Sequence, residues 1–271
     1  MDLIKVVALG ILQGLSEFLP ISSSGHLVIV EHLMNFNESG LAFEVFVHSG
    51  SLLAVVWVFK KEISQLLAAI PAIFRLSSPH LTKEKRSYAL LDIYIIIASI
   101  PAALIGIIFE EQIAVIFENH IFAFFMLFIT GLMVWSSRYT CEKNKAINGG
   151  SSFLIGCAQA IAILPGISRS GSTIVTALWL GVPRETAAKF SFLMSVPVIF
   201  GATVLKVREL YINPLSQSEL GNLILASLAA LISSYFAIHW LLEIIRRKKL
   251  EWFGLYCIII SLLGLMLHLI S

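Results

Sequence analysis

Residues 165–173 read Pro-Gly-Ile-Ser-Arg-Ser-Gly-Ser-Thr and lie between the apolar runs 161–164 and 174–180. Glycine lets a backbone turn sharply and come close to a ligand. The hydroxyls of Ser168, Ser170 and Thr173, the N–H groups of a helix starting near Gly171 and the guanidinium fork of Arg169 together suit a phosphate. An arginine among apolar spans is costly to bury, which points to a wet cavity and a function. A second polar stretch, residues 21–27, reads Ile-Ser-Ser-Ser-Gly-His-Leu, and Gln13 and Glu17 precede it, four apart on one helix face. Glu17 is the only acid between Asp2 and Glu31. With His26 and the hydroxyls of Ser22 to Ser24 it supplies carboxylate, imidazole and nucleophile, the parts of an activated hydroxyl. Each has a plainer reading. The serines can cap a helix, Glu17 can form a structural ion pair with Arg169, and an isolated His26 can be a core residue.

The two stretches keep step. Gly10 and Gly156, Gln13 and Gln159, and Gly25 and Gly171 are each 146 positions apart, which points to an internal duplication. Arg169 stands where the first copy has Ser23. One copy thus holds the acid–base set and the other the anion clamp, a division suited to phosphoryl transfer, where positioning and charge neutralisation carry catalysis.

Of the 271 residues, 58% are hydrophobic and 13% are charged, and mean hydropathy is +0.88. That exceeds the apolar share of a soluble domain, about 45–50%. Spans of about 20 mostly apolar residues cross a bilayer. They are expected near 42–60, 90–109, 121–138, 187–206, 222–243 and 252–270. Residues 2–34 and 152–180 break at their polar turns and read as re-entrant hairpins, allowed at membrane depth when protein or a wet cavity shields them. The expected fold is an all-α integral membrane protein: one membrane domain, 1–271, of six transmembrane helices plus two re-entrant helix hairpins in an inverted-topology repeat. The first repeat is 1–138 and the second 151–271. The basic segments 60–86, 138–145 and 246–249 then fall on the cytoplasmic side and the acidic loop with Glu110, Glu111 and Glu118 outside. Lys206 and Arg208 are the exceptions. Gly106, Gly131 and Gly201 are expected to let helices pack closely. Glu44 and His48, four apart at the start of a span, are candidates to line the cavity. The chain has no basic tail that would suit nucleic acid. Cys141, Cys157 and Cys257 are too scattered for a disulfide framework or thiolate metal site.

The stretches Gln13-Gly-Leu-Ser-Glu-Phe-Leu-Pro-Ile-Ser-Ser-Ser-Gly-His26 and Pro165-Gly-Ile-Ser-Arg-Ser-Gly-Ser-Thr173 resemble the two signature motifs of the bacterial undecaprenyl-diphosphate phosphatases, the bacitracin-resistance type. Phe43-Glu-Val45, and Phe190-Ser-Phe-Leu193 with Pro197 and Gly201-Ala202, extend the likeness over essentially the whole chain. The resemblance implies hydrolysis of the C55 lipid diphosphate to the monophosphate and inorganic phosphate, recycling the cell-wall lipid carrier and conferring bacitracin resistance. It implies a multi-pass protein of the bacterial cytoplasmic (inner) membrane, with the site opening to the extracytoplasmic side, and leaves room for a homodimer. By motif, Ser23 is the nucleophile, Glu17 and His26 its acid–base partners, and Ser168, Arg169 and Thr173 the phosphate clamp. Gln13, Ser22, Ser170, Gly171 and Glu44 support them. A divalent cation, Mg²⁺ or Ca²⁺, is implied, with Glu17 and Gln13 as its ligands. Gln13 stands where the family often has Glu; a glutamine can ligate a cation or bond a phosphate but cannot act as a base. Attack by Ser23, by His26 or by water directly stays open. The competing reading is a transporter or flippase for a phosphate-bearing lipid, since inverted repeats with broken helices are a transporter signature.

Overall fold

The computed structural model describes residues 3–33, 41–117, 119–212 and 217–270. Within them all regular structure is helical. The first hairpin is α1 (Leu3–Phe18) and α2 (Ser23–Leu33), and the second is α8 (Gly149–Ile161) and α9 (Arg169–Trp179). Between them lie α3 (Leu41–Val58), α4 (Lys60–Ile73), α5 (Lys83–Ile108), α6 (Glu110–Phe117) and α7 (His120–Trp135), which ends in a 3₁₀ turn, Ser136–Tyr139. The chain finishes with α10 (Arg184–Ile212), α11 (Gln217–Arg246) and α12 (Glu251–Ile270). The bounds 1, 2, 34 and 271 of the expected repeats, and Glu118, lie outside the described residues, and so do the side chains of Lys206 and Arg208.

Among the described residues five helices are long and apolar enough to cross a membrane: α5, α7, α10, α11 and α12. A sixth is reached if α3 is counted with α4, from which it is bent by 84°. The chain is a multi-pass membrane protein. The hydrophilic connection expected at 60–86 contains α4 instead, because Ile63, Leu66, Ala69 and Ile73 recur at helical spacing. Leu66 and Ala69 are buried, and Ala69 and Ala72 pack on Ala89 of α5. The acidic loop likewise contains a short helix, α6, with no buried residue.

Several helix starts follow from single side chains. Thr82 accepts from the Lys85 N–H to open α5, Asn119 accepts from Phe122 N–H to open α7, and Asn148 and Ser151 form a reciprocal capping box at α8. Helices then meet over small residues, as expected where lipid offers no hydrophobic drive to association. Gly10 of α1 sits on the backbone of Ala226 in α11, and Gly156 of α8 sits on Ala98 in α5. Gly131 of α7 meets Gly254 and Ile258 of α12. Of the three glycines expected at close crossings, only Gly131 serves. Gly106 makes one ordinary contact, with Ile163, and Gly201 faces open space.

The hairpin tips touch. A Cβ on Gly25 of α2 would lie 2.9 Å from the Cα of Gly166, in the turn before α9, so α2 cannot carry a side chain at that point. Gly166 also turns with φ +93°, a conformation suited to glycine. The two tips repeat each other's hydrogen bonds. Ser22 Oγ accepts from Gly25 N–H at 3.2 Å and lies 3.4 Å from Ser24 Oγ. Ser168 Oγ accepts from Gly171 N–H at 3.0 Å and lies 3.3 Å from Ser170 Oγ.

Candidate active site

Glu17 occupies the last turn of α1 and is buried, with 8% exposure. One turn earlier, fully buried Gln13 donates from Nε2 to Glu17 Oε2 at 3.0 Å. Ser23, the first residue of α2, donates from Oγ to the same oxygen at 2.6 Å. Across the tip contact, Arg169 opens α9 and donates from Nη2 to Glu17 Oε1 at 2.6 Å. Its guanidinium carbon lies 5.7 Å from the centroid of the Phe18 ring. Residues from both polar motifs therefore share one carboxylate. Each of the two helices begins at the site, so their N-terminal N–H groups and dipoles add positive potential there.

His48 completes the immediate surroundings. Its Nδ1 donates to the Glu44 carbonyl at 2.8 Å, and its Nε2 lies 3.8 Å from Glu17 Oε2. Glu44 contributes that backbone carbonyl, whereas its side chain is exposed. Two buried polar atoms at the site have no hydrogen-bond partner among the described residues, Arg169 Nη1 and Gln13 Oε1. One is a donor and the other an acceptor, and groups left so are costly unless something binds them.

The remaining expected residues are held elsewhere. Thr173, fully buried, donates to the Arg169 carbonyl at 2.9 Å and lies 2.6 Å from Ser191 Oγ on α10. Ser168 caps α9, and Gly171 supplies the N–H that the cap accepts. Ser170 Oγ donates to the Leu19 carbonyl at 3.0 Å, which ties the second hairpin to the first. Ser22 plays the capping part at α2 with a left-handed backbone, φ 69°. His26 is buried and faces away from the Ser23–Glu17 contact: Nδ1 meets the Ser22 carbonyl at 2.8 Å and Nε2 meets the Tyr256 hydroxyl at 2.9 Å. Of Ser168, Arg169 and Thr173, Arg169 alone bonds to Glu17, and the hydroxyls around it bond to backbone groups next to it.

Three residues outside the motifs take part. Thr130 of α7 donates to the Gly166 carbonyl at 2.7 Å and accepts from Ser168 N–H at 3.0 Å. A lone hydroxyl in an apolar span was the available signal for it. Ser191 stood within the Phe190-Ser-Phe-Leu193 stretch that extends the family likeness, though nothing there marked it as a partner of Thr173, and Tyr256 had no signal.

Among the described residues no group of three or more His, Cys, Asp or Glu side chains is placed to hold a metal ion. Mg²⁺ needs less from the protein, since it is commonly bound by one or two carboxylates together with substrate phosphates and water. Glu17 and the unpartnered Gln13 Oε1 fit that smaller demand.

A family model described as bacitracin resistance protein BacA matches residues 6–263. A relative from Methanobrevibacter smithii named undecaprenyl-diphosphatase is 40% identical over 273 residues, covering 98% of each chain. One of the same name from Halothermothrix orenii is 39% identical, again over 98% of each chain. Undecaprenyl-diphosphatase 1 of Bacillus licheniformis is 38% identical over 96% of each. The family model takes in both polar motifs and every helix but the outer ends of α1 and α12, and the chain belongs to the bacitracin resistance protein BacA family.

Proposed function

We propose that this chain hydrolyses undecaprenyl diphosphate to undecaprenyl phosphate and inorganic phosphate. The observation that carries the reading is the single buried carboxylate of Glu17, which accepts from Ser23 on one oxygen and from Arg169 on the other. The unpartnered Arg169 Nη1 is the donor that a terminal phosphate oxygen would satisfy. Ser23 Oγ attacks the terminal phosphorus while its proton passes to Glu17 Oε2. The bond to the bridging oxygen breaks, and the departing lipid monophosphate takes that proton from Glu17. Water then attacks the phosphoserine and gives a proton to Glu17 as Ser23 Oγ leaves and recovers one from it. Arg169 and the two helix starts neutralise charge on the equatorial oxygens throughout. Glu17, not His26, is the group in contact with the nucleophile's proton. A divalent cation bound by Glu17 and Gln13 Oε1 would add charge neutralisation on the diphosphate.

The wider reading is a cytoplasmic-membrane protein with two inverted repeats, whose re-entrant hairpins form a site that opens to the extracytoplasmic side. The matched hydrogen bonds of Ser22 and Ser168, and the parallel seating of Gly10 on Ala226 and Gly156 on Ala98, support the repeat. Phosphate release by purified protein in detergent micelles, with and without a chelator, tests the enzyme against a transporter, since micelles offer no two compartments. Ser23→Ala is expected to lower turnover by about 10³-fold or more, as loss of a nucleophile does. Near-normal release from Ser23→Ala would remove the nucleophile, and none from the wild-type chain would favour lipid transport.

A further inference from the structure

The last span of each half reaches the hairpin of the other. From the crossing of α7 and α12 at Gly131 and Gly254, Thr130 holds the tip of the second hairpin by two hydrogen bonds. From the same crossing, one half-turn past Gly254, Tyr256 reaches the first hairpin at His26. Its hydroxyl lies 2.9 Å from His26 Nε2, and the rings stack with centroids 5.6 Å apart and planes 9° from parallel. Tyr256 is 40% exposed while His26 is 6% exposed. The phenol ring therefore borders the lipid with its polar end turned inward, where it must find a partner.

The hydrogen bonds run in one direction. The Ser22 carbonyl can only accept, so His26 Nδ1 carries the hydrogen, which leaves Nε2 of the neutral ring to accept from Tyr256. The same Ser22 carbonyl also accepts from the His26 backbone N–H at 3.2 Å. Ser22 is the residue held at φ 69°, and such a non-glycine conformation persists only when its surroundings enforce it. Its counterpart Ser168 has φ −76°, and the residue at the place of His26 in that hairpin is Ser172. The strained turn and the imidazole occur together in the hairpin that presents Ser23, and the tyrosine of α12 meets them there.

We propose that Tyr256 is a positioning residue for hydrolysis: through His26 it fixes the Ser22 turn, and that turn aims Ser23 Oγ at Glu17. The inference rests on the reading of Ser23 as nucleophile. Tyr256→Phe keeps the stacked ring and removes only the hydroxyl. In micelles its kcat is expected to fall about tenfold, the rate equivalent of one lost hydrogen bond. KM should stay within about twofold, because no substrate contact has gone. The loss should disappear in a His26→Ala background, since a residue acting through another is non-additive with it. Nitrogen-15 spectra, with His26 identified by its absence in His26→Ala, should show the Nδ1–H tautomer in the wild-type chain and a mixture in Tyr256→Phe. An unchanged kcat in Tyr256→Phe, an undiminished further loss in the His26→Ala background, or an Nε2–H tautomer in the wild-type chain would each overturn the proposal. Ser23→Ala assayed alongside separates the two ideas: if it is inactive while Tyr256→Phe turns over normally, only the positioning role fails.

Discussion

Arg169 meets Glu17 through one nitrogen and keeps the other, Nη1, buried and unpartnered. A guanidinium presents a rigid fork, and an ammonium does not. Arg169→Lys should therefore approach Arg169→Ala in lost turnover, about 10²-fold or more for a missing charge-stabilising donor. Steady-state phosphate release measures it, and near-normal turnover in the lysine variant would show that the fork is dispensable. Which residues meet at Glu17 was legible in part. Gln13, Glu17, Ser23 and Arg169 carry their chemistry in residue type and stand in motifs, and all four come together. Thr173 and His26 carry the same kind of chemistry but spend it on Ser191 and Tyr256. Those partners sit 18 and 230 positions away, a pairing that only the packing of α9 on α10 and of α12 on the first hairpin decides.

Helices and hairpins were read from where polarity interrupts apolar runs. That signal located α1, α2, α8 and α9, whose breaks coincide with Ser-rich turns, and the long spans from α5 to α12. It overlooked α4 and α6, because charged residues at 60–62 and 110–111 masked the helical spacing behind them. The hairpin tips are the most exacting elements. Gly166 has φ +93°, and a Cβ there would collide with the Ala123 carbonyl and lie 2.7 Å from Met126 Cβ. Gly166→Ala is expected to cost about 1–3 kcal/mol of stability from backbone strain alone. The thermal midpoint in detergent should drop by several degrees. Turnover should fall further than the folded fraction does, because the displaced tip carries Arg169 away from Glu17. Unaltered melting and turnover would mean that the tip tolerates a shift.

At the scale of the whole molecule, neither half is complete. α1 rests on α11, α8 rests on α5, and the tips are held by α7 and α12 from the opposite halves. The connecting segment is exposed over 141–146 and is attached mainly where Lys143 and Lys145 N–H donate to the Gly181 carbonyl and Arg184 meets Glu142 at 3.4 Å. A chain divided between Asn144 and Lys145 should regain phosphate release when both pieces are made together and show none when either is made alone. Activity from one piece would contradict the shared site. The constant offset of 146 was visible in sequence, but which helices each of the two stretches would pack on was not. Both glycine pairs look alike in sequence whichever helix they face.

The bare contact of Gly25 with Gly166 has a kinetic consequence. The tips meet there backbone to backbone, with Ser170 to Leu19 and Arg169 to Glu17 as the side-chain links beside them, so rocking one half against the other would have to break both links and would draw Ser23 off from Arg169. A conformer able to pass a headgroup between leaflets would be chemically silent, and bond cleavage would wait for the halves to close again.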